Sequence, residues 1–230
     1  MTSGRAGLPY YKPVAQLITY LIPLSSKRRR ARVNPLVSKV DRDQLPHAVA
    51  WLQQWNSGYQ FAPVYTLRDM LGQSNLLPHF SWQNLYVYRE HDTCMGTLGV
   101  WDQQSFKQTV VTAYSKKMQL IRPLYNLLAS LRGTPRLPRA GANITILYGA
   151  FLSGNTPVFA ELLRQVCIDW SDRGYDYLSV GLCDDNELSS VVSRYATQHI
   201  SSTLYIVYWQ DTGVLLPEMN RPVHLEVATL

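Results

Sequence analysis

The sequence lacks the residue patterns that mark a metal site or a disulfide framework. Its 230 residues include only three cysteines and five histidines. Cys94, Cys167 and Cys183 show no Cys-x-x-Cys pattern or other metal-ligand spacing, and no His-x-x-x-His pair is present. We therefore expect no bound metal, and we expect the cysteines to stay reduced in a cytoplasmic protein.

The sequence also lacks an apolar run long enough to cross a membrane. A spanning helix needs about 20 consecutive apolar residues. The apolar stretch at residues 17–24 is short and is interrupted by Thr19 and Pro23. Basic residues follow this stretch rather than precede it, which is the wrong order for a secretory signal peptide.

Acidic residues are missing from two segments that hold most of the positive charge. Residues 27–32 contribute +5, and residues 105–139 contribute +7 without one Asp or Glu. Because the whole chain has a net charge of +6, the other residues sum to −6. An acidic body with two basic segments is not typical of a nucleic-acid binder. We expect neither a nucleic acid nor a membrane as partner, and we interpret residues 25–34 as an exposed basic linker.

The clearest pattern runs from Asn143 to Leu182 and predicts a strand, a helix and a second strand. Residues 144–152 are apolar, β-branched or aromatic, as in a buried strand. Residues 158–170 carry apolar side chains at spacings of one, three and four, as on one face of a helix. A Gly turn then leads into residues 175–182. A unit of this length favours parallel strands joined by a right-handed crossover.

The turn between this first strand and the helix is Ser153-Gly154-Asn155-Thr156-Pro157. Thr156 is predicted to cap the helix, and Pro157 suits its first turn because its missing N–H costs nothing there. Backbone N–H groups and the positive end of the helix dipole meet at such a turn, and together they suit a phosphate. The same residues also make an ordinary helix start, so both interpretations remain open.

Periodicity predicts the remaining elements with less detail. Residues 17–24 read as a strand, which must pair with the main sheet or with something absent from this chain. The other predicted elements are a strand at 36–40, a helix through Leu45 and Trp55 capped by Asp41 or Asp43, a short helix after Thr66, a hairpin of 84–89 with 94–101, a basic helical segment at 105–138 broken or kinked at Pro123, a helix at 186–195, and strands at 203–209 and 223–227.

This order of elements resembles the GNAT superfamily of acyl-CoA-dependent N-acyltransferases. Residues 85–101 look like its second and third strands, and residues 143–182 look like its acetyl-CoA motif. The helix that ends at Tyr195 resembles the late helix that carries a tyrosine near the thioester. The resemblance implies an α/β fold with a mixed, mostly antiparallel sheet, a central parallel strand–helix–strand unit and helices on both faces.

The phrase at residues 99–108 is similar to uncharacterised bacterial proteins with two GNAT-like halves. On that resemblance, residues 1–24 are the tail strand of a preceding domain. Residues 35–230 then form the second GNAT-like domain, with a helical basic insertion at about 105–139. The partners implied are an unknown amine and either a preceding GNAT-like domain or a second copy of the chain.

The resemblance also implies a site for acetyl-CoA. Its cofactor-binding residues are Leu152, Ser153, Gly154, Asn155, Thr156 and Val158. Tyr195 is the candidate proton donor to the thiolate, and Asp184 is the candidate base. The family's usual turn is Arg/Gln-x-x-Gly-x-Gly/Ala, whereas this turn has a single Gly, no preceding basic residue and Pro157, which removes one N–H.

The sequence is therefore consistent with two functions. The first is transfer of an acyl group from acyl-CoA to an amine, and the second is a non-catalytic GNAT-like binding or dimerisation module that has lost the acetyl-CoA site.

The basic insertion has three interpretations. It binds the adenosine 3′-phosphate or another acidic group, it lies on an anionic membrane, or it packs on the domain or a preceding half with a solvated basic rim. The third is favoured.

Overall fold

A computed structural model describes residues 8–24, 33–209 and 219–229. The basic run at residues 27–32 lies outside the described residues. Nine strands are present in these ranges: β1 (Tyr10–Pro23), β2 (Val37–Lys39), β3 (Leu85–Glu90), β4 (Thr93–Asp102), β5 (Thr109–Val110), β6 (Asn143–Ile144), β7 (Ile146–Ala150), β8 (Tyr177–Cys183) and β9 (Gln198–Tyr208). The helices are α1 (Leu45–Ser57), α2 (Leu67–Met70), α3 (Lys116–Arg132), α4 (Thr156–Trp170) and α5 (Ser189–Tyr195).

Seven of these strands form one mixed sheet in the order β2-β3-β4-β7-β8-β1-β9. Only β7 and β8 run parallel, and the crossover between them contains α4. Every other pair in this sheet is antiparallel. The predicted fold class is confirmed, including the central parallel strand–helix–strand unit.

Helices cover both faces of the sheet and define two hydrophobic clusters. The apolar side of α4, with residues of α5, packs on one face against β4, β7 and β8. On the other face, α1 and α2 pack against side chains of β3, β4 and β7. The alternation of the strands explains this division. Leu147 of β7 belongs to the first cluster, whereas its neighbour Tyr148 belongs to the second.

Strand β1 is an internal strand of the main sheet. Of the two predicted alternatives, it therefore pairs with this sheet and not with something absent from the chain. It pairs with β8 over Leu17–Pro23 and with β9 over Tyr10–Leu21. Ile22 is completely buried in the cluster that α4 covers. The sheet would lose its link to β9 without β1. That residues 1–24 belong to the tail of a preceding domain stays a prediction.

Several local predictions are confirmed in detail. Thr66 caps α2 in a capping box with Asp69, whose side chain accepts from the Thr66 backbone N–H. The β3–β4 hairpin turns at His91 and Asp92, which both have positive φ, as a two-residue hairpin turn of type I′ requires. A Gly-Thr-Pro sequence predicts the end of the basic helix, and its glycine, Gly133, ends α3 in the left-handed conformation.

Other local predictions are wrong. No side chain caps α1, whose N-cap residue is Gln44 rather than Asp41 or Asp43. Residues 223–227 do not form a strand, because only Val223 makes an isolated bridge, with Gln60, and a 3-10 turn follows at Val227–Thr229.

The basic insertion is less helical than predicted. Thr109–Val110 pairs with Asn143–Ile144 as a small separate ladder, and the helix covers only Lys116–Arg132. Pro123 lies inside this single helix, so it does not end it.

Candidate functional site

The two parallel strands separate after a short paired stretch. Ile146, Leu147 and Tyr148 pair with Tyr177, Leu178 and Ser179, and beyond them no pairing joins β7 to β8 in the part of the chain that the structure describes. At the end of β7 the chain turns at Phe151, whose φ is 57°. A gap in the backbone pairing therefore lies between the carboxyl ends of the two strands, beside the start of α4, and we call this gap the opening.

The turn before α4 is held against β4 by the buried side chain of Ser153. Its Oγ accepts from the indole Nε1–H of Trp51 at 3.0 Å and from the Thr97 N–H at 2.9 Å. The Ser153 N–H donates to the Thr97 carbonyl oxygen at 3.0 Å. The Oγ and the N–H of Ser153 are therefore both bonded within the protein, and its role as a cofactor-binding residue stays a prediction.

Gly154 brings the turn into close contact with β4. Its φ is 105°, and a Cβ at this position would lie 3.0 Å from the Met95 carbonyl oxygen and 3.1 Å from the Gly96 Cα. Glycine is required here for its conformation and for the space that the neighbouring strand leaves. The single Gly of the turn is thus explained by packing, with or without a phosphate.

Asn155, not Thr156, caps α4. The Asn155 Oδ1 accepts from the Val158 N–H at 3.1 Å, and Thr156 is the first residue of the helix. The prediction of Thr156 as the cap is wrong because the helix begins one residue earlier than expected. Val158 and Leu152 are buried in the core, where their side chains contact other apolar residues rather than solvent.

Three backbone donors remain at the start of α4. Among the described residues, the N–H groups of Gly154, Asn155 and Thr156 have no hydrogen-bond partner. They lie at the positive end of a 15-residue helix. These donors suit one anionic group. The backbone N–H groups of Ser153 and Val158, which belong to the predicted site, are already bonded within the protein.

Of the two predicted catalytic residues, only Asp184 is placed beside the opening. Asp184 follows β8 directly and is exposed, and its N–H donates to the Gln16 carbonyl oxygen. Tyr195 ends α5 and is half-buried against the cluster that α4 covers. Because β7 and β8 are parallel, Asp184 lies at the same edge of the sheet as the turn before α4.

Sequence reasoning missed a buried carboxyl in the opening itself. Glu226 is 2% exposed, and its Oε2 accepts from the Phe151 N–H at 2.8 Å. Its Oε1 has no hydrogen-bond partner. Burial raises the pKa of Glu226 to about 8, against the opposing effect of the hydrogen bond from Phe151.

Two further buried side chains accompany Glu226. Burial raises the pKa of Tyr65, and the charge of Glu226 raises it further. His224 is 3% exposed, and burial lowers its pKa to about 4. The alternation of residues 223–227 predicted a strand and carried no sign that Glu226 is buried. Only the tertiary contact with Phe151 reveals it.

A row of aromatic rings leads away from the turn along α1. Trp51 stacks on Trp55 with ring centroids 6.2 Å apart, Trp55 lies 6.1 Å from Tyr59, and Tyr59 lies 5.5 Å from the His224 ring. Trp51, Trp55 and Tyr59 line a shallow groove of about 410 Å³. The groove begins beside Ser153, because the Trp51 indole is bonded to that residue.

A second groove, of about 350 Å³, lies on the face of the sheet toward the basic insertion. Tyr148, Ser179 and Thr19 contribute to its floor, and Arg136–Pro138 and Val227 contribute to its walls. Lys107 lies beside it, with its ammonium 4.7 Å from the centre of the Tyr148 ring, and burial lowers its pKa. The groove thus has an apolar body and a cationic rim.

In the described ranges, no cluster of three or more His, Cys, Asp or Glu side chains could hold a metal ion. No helix in these ranges is long and apolar enough to cross a membrane.

Comparisons with known proteins give structural similarity without sequence similarity. No family model and no curated protein matches the chain. N-myristoyltransferase of Saccharomyces cerevisiae with bound myristoyl-CoA has a TM-score of 0.50 at 10% identity, over 86% of this chain and 51% of that chain. The same enzyme with myristoyl-CoA and inhibitors also has a TM-score of 0.50 at 10% identity, over 85% and 49% of the two chains.

A protein assigned to the GNAT acetyltransferases, from Novosphingobium aromaticivorans, has a TM-score of 0.46 at 11% identity, over 88% of this chain and 69% of that one. The chain spans about half the length of N-myristoyltransferase. At 10% identity, the likeness to N-myristoyltransferase shows the fold alone. The mixed sheet with one parallel pair agrees with the predicted GNAT-like architecture.

Proposed function

We propose that this chain is an acyl-CoA-dependent N-acyltransferase domain, which transfers an acyl group to an amine in the cytoplasm. The separation of β7 from β8 beside the start of α4 carries the proposal. It creates an opening next to three backbone N–H groups without a partner among the described residues. The structural likeness to an enzyme that binds myristoyl-CoA supports acyl-CoA as the donor.

In this proposal the N–H groups of Gly154, Asn155 and Thr156 bind the pyrophosphate of CoA. Charge-assisted hydrogen bonds to backbone N–H groups and the dipole of α4 stabilise its negative charge. The exposed position of Asn155 leaves the start of the helix open to a ligand. The buried Leu152, Ser153 and Val158 shape the turn and do not contact the phosphate.

Acyl-CoA supplies an activated acyl group as a thioester, and this chain supplies proton transfer. An ammonium must lose a proton before its nitrogen can attack. Asp184, which is exposed at the end of β8, is the candidate base. The buried Glu226, with a pKa of about 8, keeps its proton over most of the neutral range and serves as a base only in the fraction that is ionised. Tyr195 is the candidate donor of a proton to the departing thiolate.

A second function, a binding or dimerisation module without an acyl-CoA site, is favoured by one observation. The C-terminal segment fills part of the opening. Glu226 occupies the Phe151 N–H, and Val227 packs so tightly on β8 that a Cβ at Gly181 would lie 1.8 Å from its Cγ2. If this segment does not move, the opening cannot admit a thioester.

Calorimetry of acetyl-CoA, and separately of a long-chain acyl-CoA, against the purified chain tests the proposal. Thr156→Pro removes one N–H at the first helical position, where proline is favoured, and Asn155 already has the extended conformation (φ −69°, ψ 168°) that a residue before proline needs. Thr156→Ala is the matched control, because it keeps the N–H. The loss of one charge-assisted hydrogen bond, roughly 1.5–3 kcal/mol, lowers the affinity of Thr156→Pro at least about tenfold.

Asn155→Asp provides an independent test at the same helix start. Asp caps a helix as well as Asn does, so α4 keeps its cap while a negative charge faces the phosphate. We expect weaker acyl-CoA binding and unchanged or higher thermal stability. If the wild type gives no heat with either acyl-CoA, the enzyme proposal is wrong and the binding module remains. If it binds and neither variant weakens binding, the phosphate lies elsewhere.

A further inference from the structure

The helix α3 has its apolar face toward solvent. Leu120, Leu124, Leu127 and Leu131 recur at spacings of four, three and four, and so share one face. They are 84%, 61%, 59% and 71% exposed. Ala129 is the only buried residue among residues 116–132. We call these four leucines the outer leucine face.

The opposite face of α3 is bonded through polar groups to the segment that follows the helix. Asn126 donates to the Leu137 carbonyl oxygen at 3.0 Å and accepts from the Leu137 N–H at 2.8 Å. Arg122 donates to the Pro138 carbonyl oxygen at 3.1 Å. These bonds fix the rotation of the helix about its axis. The exposure of the outer leucine face therefore follows from specific contacts on the other side.

The charge around this face has one sign. No Asp or Glu occurs between Asp102 and Glu161. Lys116 and Lys117 lie exposed at the start of α3, and exposed arginines follow at its end and just beyond it: Arg132, Arg136 and Arg139. The outer leucine face is thus bordered at both ends by cations with no acid in the same segment.

From this arrangement we infer that α3 binds the surface of an anionic phospholipid bilayer, lying in its plane with the outer leucine face among the acyl chains. A helix of 17 residues that is apolar on one side and flanked by Lys and Arg has the form of an interfacial helix. Anionic headgroups complement the five exposed cations. This inference revises the sequence-based expectation that a membrane is not a partner.

A second copy of the chain fits this face less well. Two outer leucine faces packed against each other would bring the flanking cations of both copies together, and the segment offers no acid to neutralise them. An anionic lipid surface satisfies the leucines and the cations at once. The inference does not depend on acyl transfer, because every residue that carries it lies outside the turn before α4.

Cosedimentation of the full chain with vesicles tests the inference. We expect binding to phosphatidylcholine vesicles that contain about 30% phosphatidylglycerol, little binding to pure phosphatidylcholine, and weaker binding as salt is added. The double variant Leu124→Glu with Leu127→Glu should bind at least about tenfold more weakly, because it places charge in the apolar face. Val64→Glu is the matched control, since Val64 is 75% exposed in a loop outside α3.

A charge variant separates the contribution of the cations from that of the outer leucine face. Lys116→Gln with Lys117→Gln should reduce binding to the anionic vesicles, whereas Lys12→Gln, at another exposed lysine, should not. Circular dichroism checks that each variant is folded. A wild type that does not bind anionic vesicles, or a leucine variant that binds as well as Val64→Glu, overturns the inference. A wild-type dimer in sedimentation velocity that becomes monomeric in the leucine variant, without vesicle binding, assigns the face to a second copy.

Discussion

Replacing Glu226 with glutamine should flatten the dependence of stability on pH above neutrality. Glu226 is buried, and its pKa in the folded chain is about 8, against an ordinary value of 4.5. Between these two values the unfolded chain has lost this proton and the folded chain still holds it. The contribution of Glu226 to the free energy of unfolding is therefore greatest below pH 4.5, and it falls as pH rises toward 8. The whole pKa shift corresponds to a change of about 5 kcal/mol in the free energy of unfolding.

His224 acts with the opposite sign over a lower range. Its pKa is lowered from 6.5 to about 4, so between these values the unfolded chain binds the additional proton. Its contribution to stability therefore rises with pH up to about 6.5. The two slopes oppose each other between pH 4.5 and 6.5, and above 6.5 only the slope from Glu226 remains. We expect the wild type to lose about 2 kcal/mol between pH 6.5 and 8.

Glutamine reproduces the protonated form of Glu226, because its side-chain oxygen can still accept from the Phe151 N–H. The free energy of unfolding, from urea titrations followed by tryptophan fluorescence, is measured for both proteins at several values of pH between 6.5 and 8. The variant should show less than half of the wild-type slope, and Glu187→Gln, at an exposed position, should keep all of it. Equal slopes in the wild type and Glu226→Gln would refute the buried, protonated carboxyl.

Two further predictions concern the packing around the same sheet. Ile22→Ala in β1 should cost roughly 2–5 kcal/mol in chemical denaturation, because Ile22 is fully buried, whereas Lys12→Ala on the same strand should cost little; equal losses would mean that β1 is not integral to the sheet. Gly154→Ala should destabilise more than Gly174→Ala in thermal unfolding, because both have positive φ but a Cβ meets other atoms only at Gly154. The backbone strain alone is worth roughly 1–3 kcal/mol, and equal effects would show that the contact with Met95 is absent.

The strand–helix–strand unit was predictable because its residues follow the periods of the elements they form. The stripe that includes Phe159, Leu162 and Val166 became the buried side of α4, and the apolar run before it became β7. Such local signals survive because tertiary packing reinforces them. The position of β1 between β8 and β9 was not predictable, because strand order depends on contacts distant in the sequence.

The candidate site was predictable only where it depends on the turn itself. The sequence indicates a helix start near Gly154, and the structure has three unpartnered N–H groups there among the described residues. It gives no indication that Ser153 is fully bonded to Thr97 and Trp51, since both partners come from other elements. The burial of Glu226 was not predictable for the same reason. Its pKa is raised by burial, and that burial arises only when the C-terminal segment packs on the sheet beside Phe151.

The helix α3 shows a different limit of sequence reasoning. Its pattern contains two stripes with the same four–three–four spacing, one of leucines and one that includes Met118, Arg122, Tyr125 and Ala129. Hydrophobicity alone directs the leucine stripe inward. The structure instead turns the second stripe inward, because Arg122 and Asn126 find backbone partners at Pro138 and Leu137 that no leucine could bond. A helix bonded through its polar side exposes its apolar side as a surface for a partner. The sequence indicates this surface only through the absence of Asp and Glu from the segment that contains α3.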